Sequence, residues 1–471
     1  MKKFLSALLL TLMLLSMMLT SCSLSENNGN SGNNDDLSEL TAEALIAKAS
    51  EAMDGLSSFE ANGTAEIITY VLGNKITVNG TMKTIVSGID ENDLYYYSQI
   101  QTNTSAMGNK TKVSQTEGFN EGKYFLSVVA DNDVKKIYSE NTAEEFMTYY
   151  ERTQSDLKFL EGYSESNFVK NSNGTYTVTL SKYDQSMINS LNVEYGFPLE
   201  NGGGRVTDCT VTITILEDFL IKEIVTDYTF SNTEFSGIEV ISYTNYNAAQ
   251  KDLNKINPKY YTEVSDALSV ALFSHLVEEK GKSVQDSFSF SYEQSTLIST
   301  SYPQSSLYKE ESNVSYGVEN GNYYFDIDSV INDSDHKITY KDGIYKVDGK
   351  VDNTTTHSDL TSREFVNGLI DPFDFEPLAV MDITVTADGS ETVCDIVLDC
   401  SEGTTLSERF KSMYQNAGAS YNYSKVSLRV TMKDYELVSM EYTVNIYGEI
   451  NRYRMSLSLK TVTNFQKAAD L

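Results

Sequence analysis

Among the 471 residues, the one with the clearest chemistry is Cys22, which closes Leu19-Thr20-Ser21-Cys22 behind Met1-Lys2-Lys3 and an apolar run from Phe4 to Leu19. A basic start, an apolar run and small residues at a cleavage point make a secretory signal. The final four residues match a lipobox, in which the cysteine thiol is diacylated and cleavage leaves that cysteine as the new N-terminus. The run ends in Thr-Ser-Cys and lacks a basic stop-transfer flank, which argues against a retained transmembrane helix. Residues 1–21 therefore read as a lipoprotein signal peptide, with Leu19, Thr20, Ser21 and Cys22 as the lipobox and Cys22 as the lipidated residue. Two or three acyl chains, palmitate among them, anchor a protein stably on a bilayer. The expected location is the extracytoplasmic face of the cell membrane, or the outer membrane in a Gram-negative source.

No other residues assemble into a catalytic pattern. The three histidines, His275, His336 and His357, stand apart in sequence, and H-E-x-x-H, G-x-S-x-G and a Walker loop are all missing. Asp131-Asn-Asp133 and Asp326-Ile-Asp328 have the spacing of calcium ligands, but both lack the later Gly and closing Glu of an EF-hand loop. Cys394 and Cys400 fall six residues apart on one expected strand, too far to bridge while extended at ~3.3 Å per residue. Together with Cys209 they read as buried free thiols. Tyr is abundant at 32 residues, with Tyr95-Tyr96-Tyr97 the longest run. Alternate strand residues face opposite sides, so the three rings cannot line one platform, and Tyr suits half-buried strands. The expectation is no enzyme, no metal and no cofactor.

Composition narrows the partners. There are 36 Lys and Arg against 67 Asp and Glu. Signal cleavage takes Lys2 and Lys3 away, so the net charge goes from −31 to −33. That excludes nucleic acid, whose binding needs a basic surface, and adhesion to anionic lipid through a polybasic face. Four Cys exclude a disulfide scaffold. After Cys22, residues 22–36 are rich in Asn, Ser and Gly and read as a disordered tether, with an r.m.s. reach of roughly 20 Å.

The remainder repeats itself with a period of about 217 residues. The capping box Thr142-Ala-Glu-Glu145 recurs as Thr361-Ser-Arg-Glu364. Gly122-Lys-Tyr124 matches Gly343-Ile-Tyr345, and the hairpin signal Asn173-Gly174 matches Asp388-Gly389. Val211 to Ile215 aligns with Leu428 to Met432, Ile238-Glu-Val240 with Met455-Ser-Leu457, and Asn247 with Asn464. Two copies follow, residues 37–254 and 255–471, with the junction in 251–258. Each copy opens with a helix. Thr41 caps the first, Ala42 to Leu56; Val264, Leu268, Leu272 and Leu276 stripe the second. Alternating strands follow each. Phe59, Ala61, Gly63, Ala65 and Ile67 share one face, and a short helix is expected near 185–195.

The lipobox, the polar tether, the helix Leu45 to Leu56 and the strand entry Ser57-Ser58-Phe59-Glu60-Ala61-Asn62-Gly63 together resemble the bacterial lipoprotein-carrier superfamily, with its LolA-like and LppX-like members. The resemblance covers almost all of the mature chain, once per copy. It implies an α+β fold: two tandem LolA-like domains, each a curved, unclosed antiparallel sheet or half-barrel around a few helices. It also implies an apolar cavity that accepts acyl chains. The expected function is a membrane-anchored lipoprotein binding an apolar or amphipathic ligand, a lipid or an acylated chain. The alternative is a non-enzymatic interaction or sensor module that engages another envelope protein or the wall and carries no ligand.

Overall fold

The computed structural model describes residues 40–465, apart from 154–161, 189–205, 283–287, 300–305, 352–378, 402–419 and a few loop residues. The lipobox, the tether, His357 and the second capping box lie outside these residues, as does most of the expected helix at 185–195. The described residues fall into two compact units, one ending at Glu263 and one beginning at Val264.

The first unit begins with helix α1 (Ala42–Asp54), whose Thr41 Oγ1 accepts from the Ala44 amide at 3.1 Å. Six strands follow as a meander: β1 (Ser58–Val71), β2 (Asn74–Ser87), β3 (Tyr95–Ala106), β4 (Asn109–Asn120), β5 (Lys123–Ala130) and β6 (Asp133–Glu140). Helix α2 (Ala143–Thr153) then carries the chain to the far edge. A second meander returns: β7 (Tyr163–Lys170), β8 (Tyr176–Tyr183), β9 (Val206–Ile215), β10 (Ile221–Phe230) and β11 (Ser236–Thr244). β11 pairs with β1, and the two-residue β12 (Thr262–Glu263) pairs in parallel with β6. The result is one open 12-stranded sheet with β12 and β7 at its edges.

The second unit opens with helix α3 (Ala267–Lys282), and its meander runs β13 (Phe288–Ser299), β14 (Ser306–Glu319), β15 (Asn322–Ile331), β16 (Ser334–Lys341), β17 (Ile344–Val347) and β18 (Lys350–Val351). It closes with β19 (Val380–Asp388), β20 (Glu391–Leu398), β21 (Ser420–Lys433), β22 (Glu436–Ile450) and β23 (Tyr453–Asn464). The 11 strands form one sheet in which β13 pairs with β23, as β1 does with β11. The strand orders of the two sheets therefore correspond one to one, apart from β12. A buried hydroxyl pair also recurs between the second and third strands. Thr84 and Ser98 lie 3.1 Å apart in the first unit, Ser312 and Ser329 2.7 Å apart in the second.

The fold is predominantly β, which corrects the α+β expectation. Twenty-three strands stand against three α-helices among the described residues. The physical cause is number: helices of 13, 11 and 16 residues stand among many strands, the longest of 14 or 15 residues. Thr-, Val-, Ile- and Tyr-rich alternation gives those strands long pleated faces to pack. α3 starts after Val264, because Asp266 accepts from the Ser269 amide at 2.9 Å and caps it. Ala267, Leu268, Val270, Ala271, Leu272, Phe273, Leu276 and Val277 are buried around its whole circumference, so it is a core helix and not a one-sided stripe.

The expected junction at 251–258 is part of the first unit. Ile256 is buried against Ile85, Tyr95, Tyr97 and Phe125, with Tyr138, Ala249 and Tyr261 packed around them. Tyr95 Oη donates to the Asp252 carbonyl at 3.0 Å and accepts from its amide at 3.2 Å. The seat is made by Gly118, where a Cβ would stand 2.5 Å from Ile256 Cγ2.

Candidate functional site

The helix-covered face of the first sheet is where an acyl chain would lie. Pairing carries its side chains across the strands in register: Ala61 faces Thr84, Gly63 faces Met82, Ala65 faces Gly80 and Ile67 faces Val78. On the other side, Ala65 faces Glu239 and Gly63 faces Ile241. The alternation read from the sequence places Ala61, Gly63, Ala65 and Ile67 inward, as expected. They are closed off, however: Ala61 is 1% exposed, Ala65 6% and Ile67 2%. Val78 and Met82 beside them are buried as well. The face also carries a carboxylate, Glu239, only 4% exposed, which accepts from Tyr228 Oη at 3.0 Å.

Farther along the same face, α2 packs down on β3, β4 and β5. Its capping box has both bonds: the Thr142 amide donates to Glu145 Oε2 at 2.7 Å, and the Glu145 amide to Thr142 Oγ1 at 3.1 Å. So fixed, the helix sets Phe146 among aromatic rings. Phe119 stacks on it with centroids 4.8 Å apart, and Tyr96 lies tilted at 5.2 Å. Glu117 takes the phenols: Tyr149 Oη donates at 2.8 Å, Tyr124 Oη at 3.0 Å, and Gln115 Nε2 adds a third bond at 2.8 Å. Burial, then the Glu117 charge, holds the Tyr96, Tyr124 and Tyr149 phenols well above the ordinary tyrosine range. Phenols so held are donors, not bases, and the cluster is a satisfied polar knot inside an aromatic core.

The run Tyr95-Tyr96-Tyr97 divides between faces as its alternation requires. Tyr96 joins Phe146, while Tyr95 and Tyr97 lie under Ile256. The remaining chemistry-bearing residues do not converge. His336 Nδ1 lies 3.2 Å from Asp348 Oδ2, and His275 is half-buried on α3. Lys337 Nζ bridges Asp326 at 2.9 Å and Asp328 at 3.1 Å, so those carboxylates are an ion-paired strand face. Cys209, Cys394 and Cys400 are free and buried, with Cys400 just past the end of β20. Burial pushes the Cys209 and Cys394 thiols up to about 12. No group of three or more His, Cys, Asp or Glu among the described residues is placed to hold a metal ion. No helix among them is long and apolar enough to cross a membrane.

The sequence matches no protein-family model and no curated protein. Solved structures similar to the chain include a DUF1329 family protein from Desulfovibrio piger, at 13% identity over 46% of this chain and 97% of that one, with a TM-score of 0.19. A β-barrel-like protein of the DUF1849 domain from Brucella abortus matches at 9% identity over 40% and 98%, with a TM-score of 0.16. The translocator domain of the autotransporter NalP from Neisseria meningitidis matches at 6% identity over 90% and 95%, with a TM-score of 0.11. Likenesses this slight decide neither fold nor function.

Proposed function

We propose that this protein is an extracytoplasmic module, tethered to its membrane through acyl chains on Cys22, that binds a cell-envelope partner through its surface and uses its interior only for packing. The lipobox at 19–22 and the Asn-rich tether, whose only charges are Glu26, Asp35 and Asp36, support the anchoring. The two corresponding sheets, with the repeated hairpin and strand motifs on matching strands, support a tandem duplication of one carrier-like unit. The observation that carries the reading is the closed inner face of the first sheet. The positions that would have to line an acyl pocket, Ala61, Ala65 and Ile67, are buried, and Glu239 sits in the row with Ala65. A buried carboxylate beside a hydrocarbon chain costs several kcal/mol unless its bonds stay made.

The small side chains Ala61, Gly63, Ala65 and Gly80 favour a second reading, in which an apolar or amphipathic ligand takes that space by displacing what covers it. Titration of delipidated protein with a fluorescent fatty acid separates the two. The first reading predicts no saturable uptake; saturation near one probe per chain would replace it with the second.

A further inference from the structure

The face of the first sheet opposite α1 and α2, covered at one end by Ile256 and open to solvent beyond it, carries a pattern that its core does not require. One row of cross-strand partners runs Thr179, Thr212, Val225, Val240, Thr64, Thr81, Gln101 and Ser114, from β8 through β9, β10, β11, β1, β2 and β3 to β4. All eight are exposed or half-exposed, and none is ionisable, in a chain that is 22% charged with a net charge of −31. Charges resume two residues to either side along the strands, at Lys83 and Glu223 and at Glu66 and Asp227. The corresponding face of the second sheet is built from ion pairs instead: Arg429 with Asp395 at 2.7 Å, and Lys460 with Glu441 at 3.3 Å.

We infer that this row is a docking surface for an extended, uncharged glycan strand bearing hydroxyl and acetamido groups. Thr, Ser and Gln side chains both donate and accept, which suits hydroxyls and amides and gives no grip on a charged polymer. An anionic partner would meet the net negative charge without a Lys or Arg in the row to receive it. A protein partner would want aromatic or Arg anchors, and the row holds neither. Strands lie ~4.8 Å apart, close to the rise of one sugar in an extended 1,4-linked glycan, so successive sugars meet successive strands. Neighbouring strands are rotated by roughly 20–25°, so the row winds, and a flexible soluble chain follows it where a flat crystalline surface cannot.

The inference rests on the reading of the protein as an anchored module that binds through its surface. Native gel electrophoresis of the mature chain, residues 23–471 exported behind a cleavable secretory signal that lacks a lipobox, with glycol chitin, a neutral soluble polymer, in the gel tests it. Migration is expected to slow relative to a polymer-free gel, and an anionic polysaccharide is expected to leave it unchanged. Thr64→Lys with Thr81→Lys buries charge against a neutral partner and should weaken the retardation about tenfold. Thr81→Ser should retain it, and Ser427→Lys on the second sheet should not affect it. Circular dichroism shows that each variant is folded. Unretarded wild type, or undiminished retardation in the Thr64→Lys, Thr81→Lys variant, overturns the inference. A lipid found in the same preparation overturns the underlying reading instead, so the two failures are distinguishable.

Discussion

Glu117 and Glu239 are the residues that most constrain the first unit, and both point inward. Their placement was not legible in the sequence. Ile238-Glu239-Val240 reads as a strand with apolar residues inward, yet Ile238 is 43% exposed and Glu239 is buried. Gly237, Ile241 and Tyr243, buried on the same side as Glu239, set that parity. A three-residue window cannot see it. Tyr95-Tyr96-Tyr97 was legible, because a run of like residues must alternate whatever covers it. The phenols around Glu117 give a pH prediction with a definite sign. Their native pKa values lie above the ordinary 10.0, so the native state holds protons that the unfolded chain gives up. Their stabilising contribution is complete below pH 10 and falls as the pH rises above it. Absorbance at 295 nm should show a second group of tyrosines ionising only as the β-sheet signal is lost. A single ionisation near 10 with the fold intact would contradict the burial.

At the scale of elements, the strands and the α2 cap were readable to within a few residues, since alternation and the capping box are local signals. The balance of helix and strand was not, because strand pairing is long-range and a local window does not show how many strands join one sheet. The fate of residues 245–263 was hidden for a different reason. Ile256 and Tyr261 have no periodic neighbours, and the segment stays on the first sheet through the flat seat at Gly118, the Tyr95–Asp252 bonds and the pairing of β12 with β6. Gly118→Val should therefore destabilise the first unit by about 1–3 kcal/mol, the usual cost of overpacking. Urea denaturation measures this, and limited proteolysis should cut first within 245–263. An unchanged urea midpoint would mean that Ile256 is not seated there.

Across the whole molecule, two sheets of corresponding order were legible as a sequence repeat, because matching turns and capping residues survive where side chains diverge. The α1 and α3 helices diverge most. One presents a buried stripe of Leu45, Ala49 and Met53, the other is buried on all sides. The outer faces diverge too, one with an uncharged row and one ion-paired, so two sheets of corresponding strand order present different surfaces. On the proposed reading, this is a module whose binding chemistry lies outside a packed core. Native mass spectrometry of residues 23–471, exported behind a cleavable secretory signal that lacks a lipobox and purified without detergent, tests this most directly. The expected result is the mass of the processed polypeptide alone, with chloroform extraction recovering no stoichiometric lipid. One co-purifying lipid per chain, retained through purification, would contradict it.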